Sequence, residues 1–192
     1  MLLPSSSTAG CFREPGVTIS ANLLRGDEFM ELSGWRQYII EVSSGFVLLS
    51  FSNEGIYSLS LMRGRPLMAG SAAEKAELYW PELEREIRGY FNGFPIRGDY
   101  PLIMSGYSPW TQKILQLTKE IPHGETITYK QLAERAGVPA GARAAGQALA
   151  RNRTPLLIPC HRVVAQGGKL GGFTGGIDWK KELLALEGIT GL

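Results

Sequence analysis

The sequence predicts an α+β protein, with a small antiparallel sheet and helices in its front half and a mostly helical back half. Three observations lead there. Short apolar or alternating runs between residues 36 and 61 are separated by Ser/Gly/Asn clusters, the signature of a β-meander. Helical spacing follows at Leu83, Ile87, Tyr90 and Phe91. Beyond residue 107 the signals become short helices punctuated by Gly and Pro. The composition of the 192 residues, 44% hydrophobic and 20% charged, excludes disordered, collagen-like and fibrous classes.

In chain order, the first twenty residues are rich in Ser, Gly and Pro and have no period, so they are expected to be loosely held. Three strands are expected at residues 36–42, 46–51 and 56–61, with turns at residues 43–45 and 52–55. A helix is expected over residues 74–91, with Pro81 better suited to a first turn than to an interior and Asn92-Gly93 as its stop. Residues 94–107 read as a linker between an N-terminal unit (1–93) and a C-terminal unit (108–192). In the second unit Ser108 is the N-cap and Pro109 the first-turn residue of a helix that ends at Pro122-His123-Gly124. Thr128 caps a short helix over residues 129–136, stopped by Gly137 and Pro139. A third helix, residues 142–151, is rich in small residues. Two short helices joined by a tight Gly/Pro turn resemble a helix-turn-helix, although many such hairpins bind nothing.

Charge is unevenly distributed. Residues 1–108 hold 9 Lys+Arg against 12 Asp+Glu, and residues 109–192 hold 11 against 6. The basic back half points to a polyanionic partner. Only Cys11 and Cys160 are present, so a reducing compartment is expected rather than a disulfide scaffold. No apolar run approaches the roughly 20 residues of a membrane span, and the start lacks the marks of a signal peptide. A soluble, cytoplasmic protein without membrane partners is the expectation.

The most informative stretch is residues 156–164, Leu-Leu-Ile-Pro-Cys-His-Arg-Val-Val. Its aliphatic flanks read as a buried strand, and Pro159 removes a backbone donor just before Cys160. Cys160 is either a buried structural thiol or a nucleophile whose pKa is lowered by the adjacent His161 and Arg162. Zinc fails on count, because two Cys and two His without a close Cys pair do not readily build a tetrahedral site.

Residues 108–188 resemble the O6-alkylguanine-DNA alkyltransferase family. The matching motifs, in order, are Pro109-Trp110, Ile121-Pro122-His123-Gly124, Thr128-Tyr129-Lys130-Gln131-Leu132-Ala133 and Ala142-Arg143-Ala144-Ala145-Gly146. Arg151-Asn152, Ile158-Pro159-Cys160-His161-Arg162-Val163-Val164, Gly171-Gly172-Phe173-Thr174-Gly175-Gly176 and residues 180–188 follow. About eighty residues match strongly, while the front half resembles the family only in length and in strand-then-helix order. The resemblance implies an RNase H-like N-terminal unit and a winged-helix-like C-terminal unit acting on double-stranded DNA that contains O6-alkylguanine.

It also implies roles. Cys160 would accept the alkyl group as a thioether. His161 would take the thiol proton through a water, and Glu187 would orient and charge-stabilise the imidazole. Asn152 would brace the turn before the active-site segment. Arg143 would fill the space left by a flipped base, on a helix whose small residues, Ala144 and Gly146 among them, permit close approach to the minor groove. Tyr129 would help rotate the nucleotide. Pro159, Phe173 and Thr174 would border the alkyl pocket, with Thr174 holding a hydroxyl position and Phe173 standing where many members have tyrosine. No cofactor and no metal are expected, since outside the active loop only Cys11 and His123 are available for zinc. The protein is expected to be a monomer, nucleoid-associated if prokaryotic. The rival reading, a non-enzymatic binder of alkylated DNA, is opposed by Cys160, because such relatives lack the acceptor. A regulator lacks a further module, and a thiol hydrolase lacks an evident oxyanion hole.

Overall fold

The computed structural model describes residues 36–66 and 80–191. The first twenty residues, Cys11 and residues 74–79 of the expected helix lie outside them.

Three antiparallel strands, β1 (Arg36–Val42), β2 (Gly45–Ser52) and β3 (Gly55–Met62), form a meander in the order β1-β2-β3. Val42 pairs with Gly45 and Ser52 with Gly55, so both connections are two-residue turns. Alternation along β2 buries Val47, Leu49 and Phe51 against Ile40, Ile56 and Leu59. Helix α1 (Pro81–Tyr90) packs on this face through Leu83, Ile87 and Tyr90, with Pro81 in its first turn as expected.

The segment expected as a linker is tied to the sheet. Ile56 N donates to Pro101 O (2.8 Å) and Ile103 N to Ile56 O (2.9 Å), so the chain runs parallel to β3 at that point. Gly55 permits this approach. At φ +148° it carries no Cβ, and one placed there would stand 2.7 Å from Pro101 O.

The back half contains α2 (Pro109–Lys119), α3 (Tyr129–Arg135) and α4 (Ala142–Leu149), followed by α5 (Ile177–Leu186). Ser108 Oγ accepts from Thr111 N, and Thr128 with Gln131 forms a complete capping box, as the residue types require. A short parallel pair, β4 (Ile127–Thr128) with β5 (Val163–Val164), joins the start of α3 to the active segment. Ile114, Leu115, Leu132, Ala145, Ala148 and Val163 form the core of this half.

The strand expected over residues 156–164 is not there. Only Val163–Val164 is β; Cys160–Arg162 is a 3-10 turn, and Leu156 has φ +72°. Ile158 N donates to Thr154 O and Cys160 N to Ile158 O, closing tight turns around Pro159, which has no N–H to give to a ladder. The run is apolar because it threads between two cores. Leu156 and Leu157 enter the front core, while Ile158 and Cys160 enter the back one. Trp179 and Leu183 of α5 also enter the front core, and Arg63 stacks on Trp179 at 3.8 Å while pairing with Glu182 at 2.7 Å. No helix among the described residues is long and apolar enough to cross a membrane.

Candidate active site

Cys160 begins the 3-10 turn and is buried, 6% exposed. Its Sγ accepts a hydrogen bond from Asn152 Nδ2 at 3.1 Å. The same amide donates to Ile158 O at 2.9 Å, while Asn152 Oδ1 accepts from Thr154 N at 3.1 Å. One buried asparagine therefore holds both limbs of the turn and touches the sulfur. Burial pushes the Cys160 thiol up from its ordinary range, against opposing pulls from Asn152 and the charge of Lys180.

That direction differs from the sequence expectation, and the neighbours explain why. Arg162 is committed elsewhere: Nε and Nη2 donate to Glu187 at 2.9 Å each, and Nη1 donates to Ile121 O at 2.6 Å. His161 is fully buried, and burial holds its pKa below the ordinary value despite Glu187. The imidazole is therefore neutral, and neither neighbour offers the thiol a free positive charge.

Glu187 caps the C-terminal end of α5, where the helix dipole disfavours a carboxylate. Donors surround it instead. Oε1 accepts from Tyr90 Oη at 2.6 Å and from His161 Nε2 at 2.8 Å; Oε2 accepts from Gly124 N at 3.1 Å and from Arg162. The hydrogen bonds from His161, Arg162 and Tyr90 hold its carboxyl well below the usual range, outweighing burial. An ionised carboxylate on Nε2 places the ring proton there and leaves Nδ1 with a lone pair. Nδ1 is buried and has no hydrogen-bond partner among the described residues. His123 Nδ1 stands 3.7 Å from Glu187 Oε1.

The rim is built by α3 and the Gly-rich loop. Tyr129 is half-buried, and its hydroxyl donates to Gly172 O at 3.3 Å. Gly171, at φ +69°, lets the ring approach; a Cβ there would lie 2.9 Å from Tyr129 Cε2. Gly146 lies under the other side of the ring. Phe173 packs against both cores and edge-on to His161. Pro159 is buried, and Thr174 is exposed with its hydroxyl turned to Ala150 O at 3.4 Å. Arg143 and Ala144 are exposed on α4, outside the buried network. Asn152 is thus brought to Cys160 and Glu187 to His161, with Phe173 edge-on to the imidazole. Among the described residues, no group of three or more His, Cys, Asp and Glu is placed to hold a metal ion.

Residues 109–189 match the family model described as the DNA-binding domain of 6-O-methylguanine DNA methyltransferase. A methylated-DNA–protein-cysteine methyltransferase of Methanosarcina acetivorans is 35% identical over 151 residues, which are 78% of this chain and 96% of that protein. The chain belongs to the methylated-DNA–protein-cysteine methyltransferase family. A methyltransferase of the same name from Methanopyrus kandleri is 42% identical over 106 residues, 55% of this chain and 79% of the relative. Among solved structures, Mycobacterium tuberculosis OGT in complex with DNA superimposes with a TM-score of 0.66 at 28% identity, over 79% of this chain and 92% of that one.

Three residues of this methyltransferase site take parts that the sequence does not give them. Arg162 belongs to the motif beside the thiol, but its guanidinium serves Glu187. Lys180 is fully buried, donates to Val163 O at 2.6 Å, and is pushed down by burial to about 8. Its signal was readable: it shares the inward helical face of Leu183 and Leu184. Tyr90 stands in the helical spacing of apolar positions of α1, which carries no sign of a role for its hydroxyl.

Proposed function

We propose that this chain repairs alkylated DNA by moving the alkyl group of O6-alkylguanine irreversibly onto Cys160. Membership of the methyltransferase family supports alkyl transfer to a protein cysteine, and the likeness to an OGT–DNA complex supports a DNA partner. The observation that carries the assignment to Cys160 is the buried network itself: a thiol held by Asn152, beside a neutral histidine whose Nε2 proton is anchored by an ionised glutamate.

In this mechanism His161 Nδ1 takes the Sγ proton through a water as sulfur attacks the alkyl carbon in line with the breaking C–O bond. The S–C bond forms, guanine leaves with the C–O electron pair, and the proton lost by the thiol balances the one guanine regains at N1. Glu187 stabilises the transient imidazolium. The raised thiol pKa makes this assistance necessary at neutral pH. Tyr129 rotates and contacts the flipped base, Arg143 fills the vacated stack, and Ala144 and Gly146 keep α4 slim enough for close approach to DNA. Pro159, Phe173 and Thr174 line the alkyl side.

A thioether offers no leaving group under mild conditions, so each molecule acts once. The protein works as a monomer on duplex DNA in the cytoplasm, with units 1–93 and 108–192 joined by residues 94–107. A purely non-enzymatic binder is disfavoured by the acceptor thiol.

The test is incubation with duplex DNA carrying O6-methylguanine, followed by mass mapping. One methyl per molecule, on Cys160, is expected. Continued clearance of excess DNA by sub-stoichiometric protein, or a label on Cys11, overturns the reading.

A further inference from the structure

Among the described residues of the front half, the Tyr90 hydroxyl reaches the reacting network. Tyr90 lies in the last turn of α1, fully buried, and its hydroxyl sits 2.6 Å from Glu187 Oε1 and 3.1 Å from His161 Nε2. Its ring packs edge-on to both His161 and His123, at 6.2 and 6.0 Å between centroids. With Glu187 ionised, the hydroxyl proton points to the carboxylate, and the oxygen lone pairs face His161 Nε2–H.

We propose that Tyr90 is a positioning residue for alkyl transfer: its hydroxyl clamps Glu187 and His161 together, fixing the imidazole with its proton on Nε2 and sharing the carboxylate's charge so that Nδ1 stays unprotonated. This rests on the reading of His161 as the base for Cys160. It also gives the N-terminal unit a part in the chemistry.

Among the described residues, charged and titratable groups face the imidazole from several elements. Glu187, at the end of α5, favours the imidazolium. Lys180 within α5 and Arg162 on the histidine's own turn oppose it. His123, in the loop before β4, faces the same carboxylate, and Cys160 adjoins through the backbone. Tyr90 acts on the strongest of these groups, because each donor on Glu187 spreads its negative charge and weakens its hold on a second proton at His161. Without the hydroxyl, that charge falls more heavily on the imidazole.

The experiment measures transfer to Cys160 from free O6-benzylguanine, which needs no base flipping, as a function of pH for wild type and Tyr90→Phe. Both are repeated in a His123→Gln background, so that the limb followed is that of His161. Tyr90→Phe keeps the ring and its packing. The rate is expected to fall about tenfold, the scale on which groups that orient a functional histidine act. The acidic limb is expected to move up by about half a pH unit, with duplex DNA affinity unchanged.

Combined with Glu187→Gln, the Tyr90→Phe loss should shrink, because the hydroxyl works through that carboxylate. Ring-fluorinated tyrosine at position 90, a stronger donor of nearly the same shape, should move the limb down; this arm decides if Tyr90→Phe folds poorly. Labelled wild type with an unchanged rate and profile in Tyr90→Phe overturns the role of Tyr90 alone. A uniform loss at all pH values that adds fully to Glu187→Gln does the same, as it marks a merely structural contact. Wild type without label on Cys160 overturns the reading of the reaction, and the role of Tyr90 with it.

Discussion

At the scale of single residues, the proposed mechanism separates the acceptor from the groups that activate it. Cys160→Ala should abolish transfer while leaving DNA binding intact, checked by labelled-methyl transfer and by duplex affinity. His161→Gln should slow transfer by about 10²- to 10⁴-fold, the usual worth of general-base assistance, with the acceptor still present. A rate equal to wild type would remove the histidine from the mechanism. Glu187 links the same network to stability. Its carboxyl is held below the ordinary range when folded, so the stabilisation it provides is complete above the unfolded value, about 4.3. It is lost as pH falls toward and through the lower folded value. Glu187→Gln should flatten this acid limb. It should also destabilise the protein at neutral pH by about 3–5 kcal/mol, the usual cost of leaving a buried partner, here Arg162, without its counter-charge. Melting temperature measured from pH 7 down to pH 2 checks both.

At the scale of elements, the proposed reaction divides the work of reaching the base between α4 and the Gly-rich loop. Arg143 is exposed on α4, and Arg143→Ala should slow repair in duplex DNA far more than transfer from free O6-benzylguanine, which requires no flipping. Equal losses on both substrates would assign the residue to chemistry or folding. The loop's contribution is its close approach to Tyr129. Gly171→Ala combines a left-handed φ with a Cβ 2.9 Å from the tyrosine ring. It should cost about 1 kcal/mol or more in stability and should displace Tyr129, slowing transfer from DNA; an unchanged rate and melting temperature would show that the loop yields freely. The capping of α2 and α3 was legible because Ser108, Pro109, Thr128 and Gln131 carry local signals that need no partner elsewhere. The 3-10 turn at Cys160 was not legible. A run buried between two cores has the same apolar pattern as a buried strand.

At the scale of the whole molecule, the charge asymmetry and the family's DNA complex make one joint prediction. Affinity for duplex DNA should tolerate changes of sequence and should fall steeply with salt, because a basic back half binds phosphates by releasing counterions. Affinity that stays constant from low to physiological salt would count against it. The two halves are also coupled mechanically. Leu156, Leu157, Trp179 and Leu183 complete the front core, and Leu59 N donates to Arg153 O at 2.7 Å beside the active turn. Damage to the sheet should therefore be felt at Cys160.

The sequence by itself determined the three-strand meander, the helices and their caps, because each rests on local chemistry, and it marked Cys160 and its contiguous motif partners as the candidate site. It could also pair His161 with Glu187, but only through resemblance to a family, since 26 positions separate them. Tertiary structure alone decided the electrostatics. Arg162 turned out to serve the carboxylate and not the thiol, and burial raised Cys160 where neighbouring charge had suggested the opposite. It also decided that Tyr90, 71 residues before His161, belongs to the network. The physical reason is that propensity and capping act over a few residues, whereas desolvation and hydrogen-bond partnership depend on which distant side chains share a dry interior.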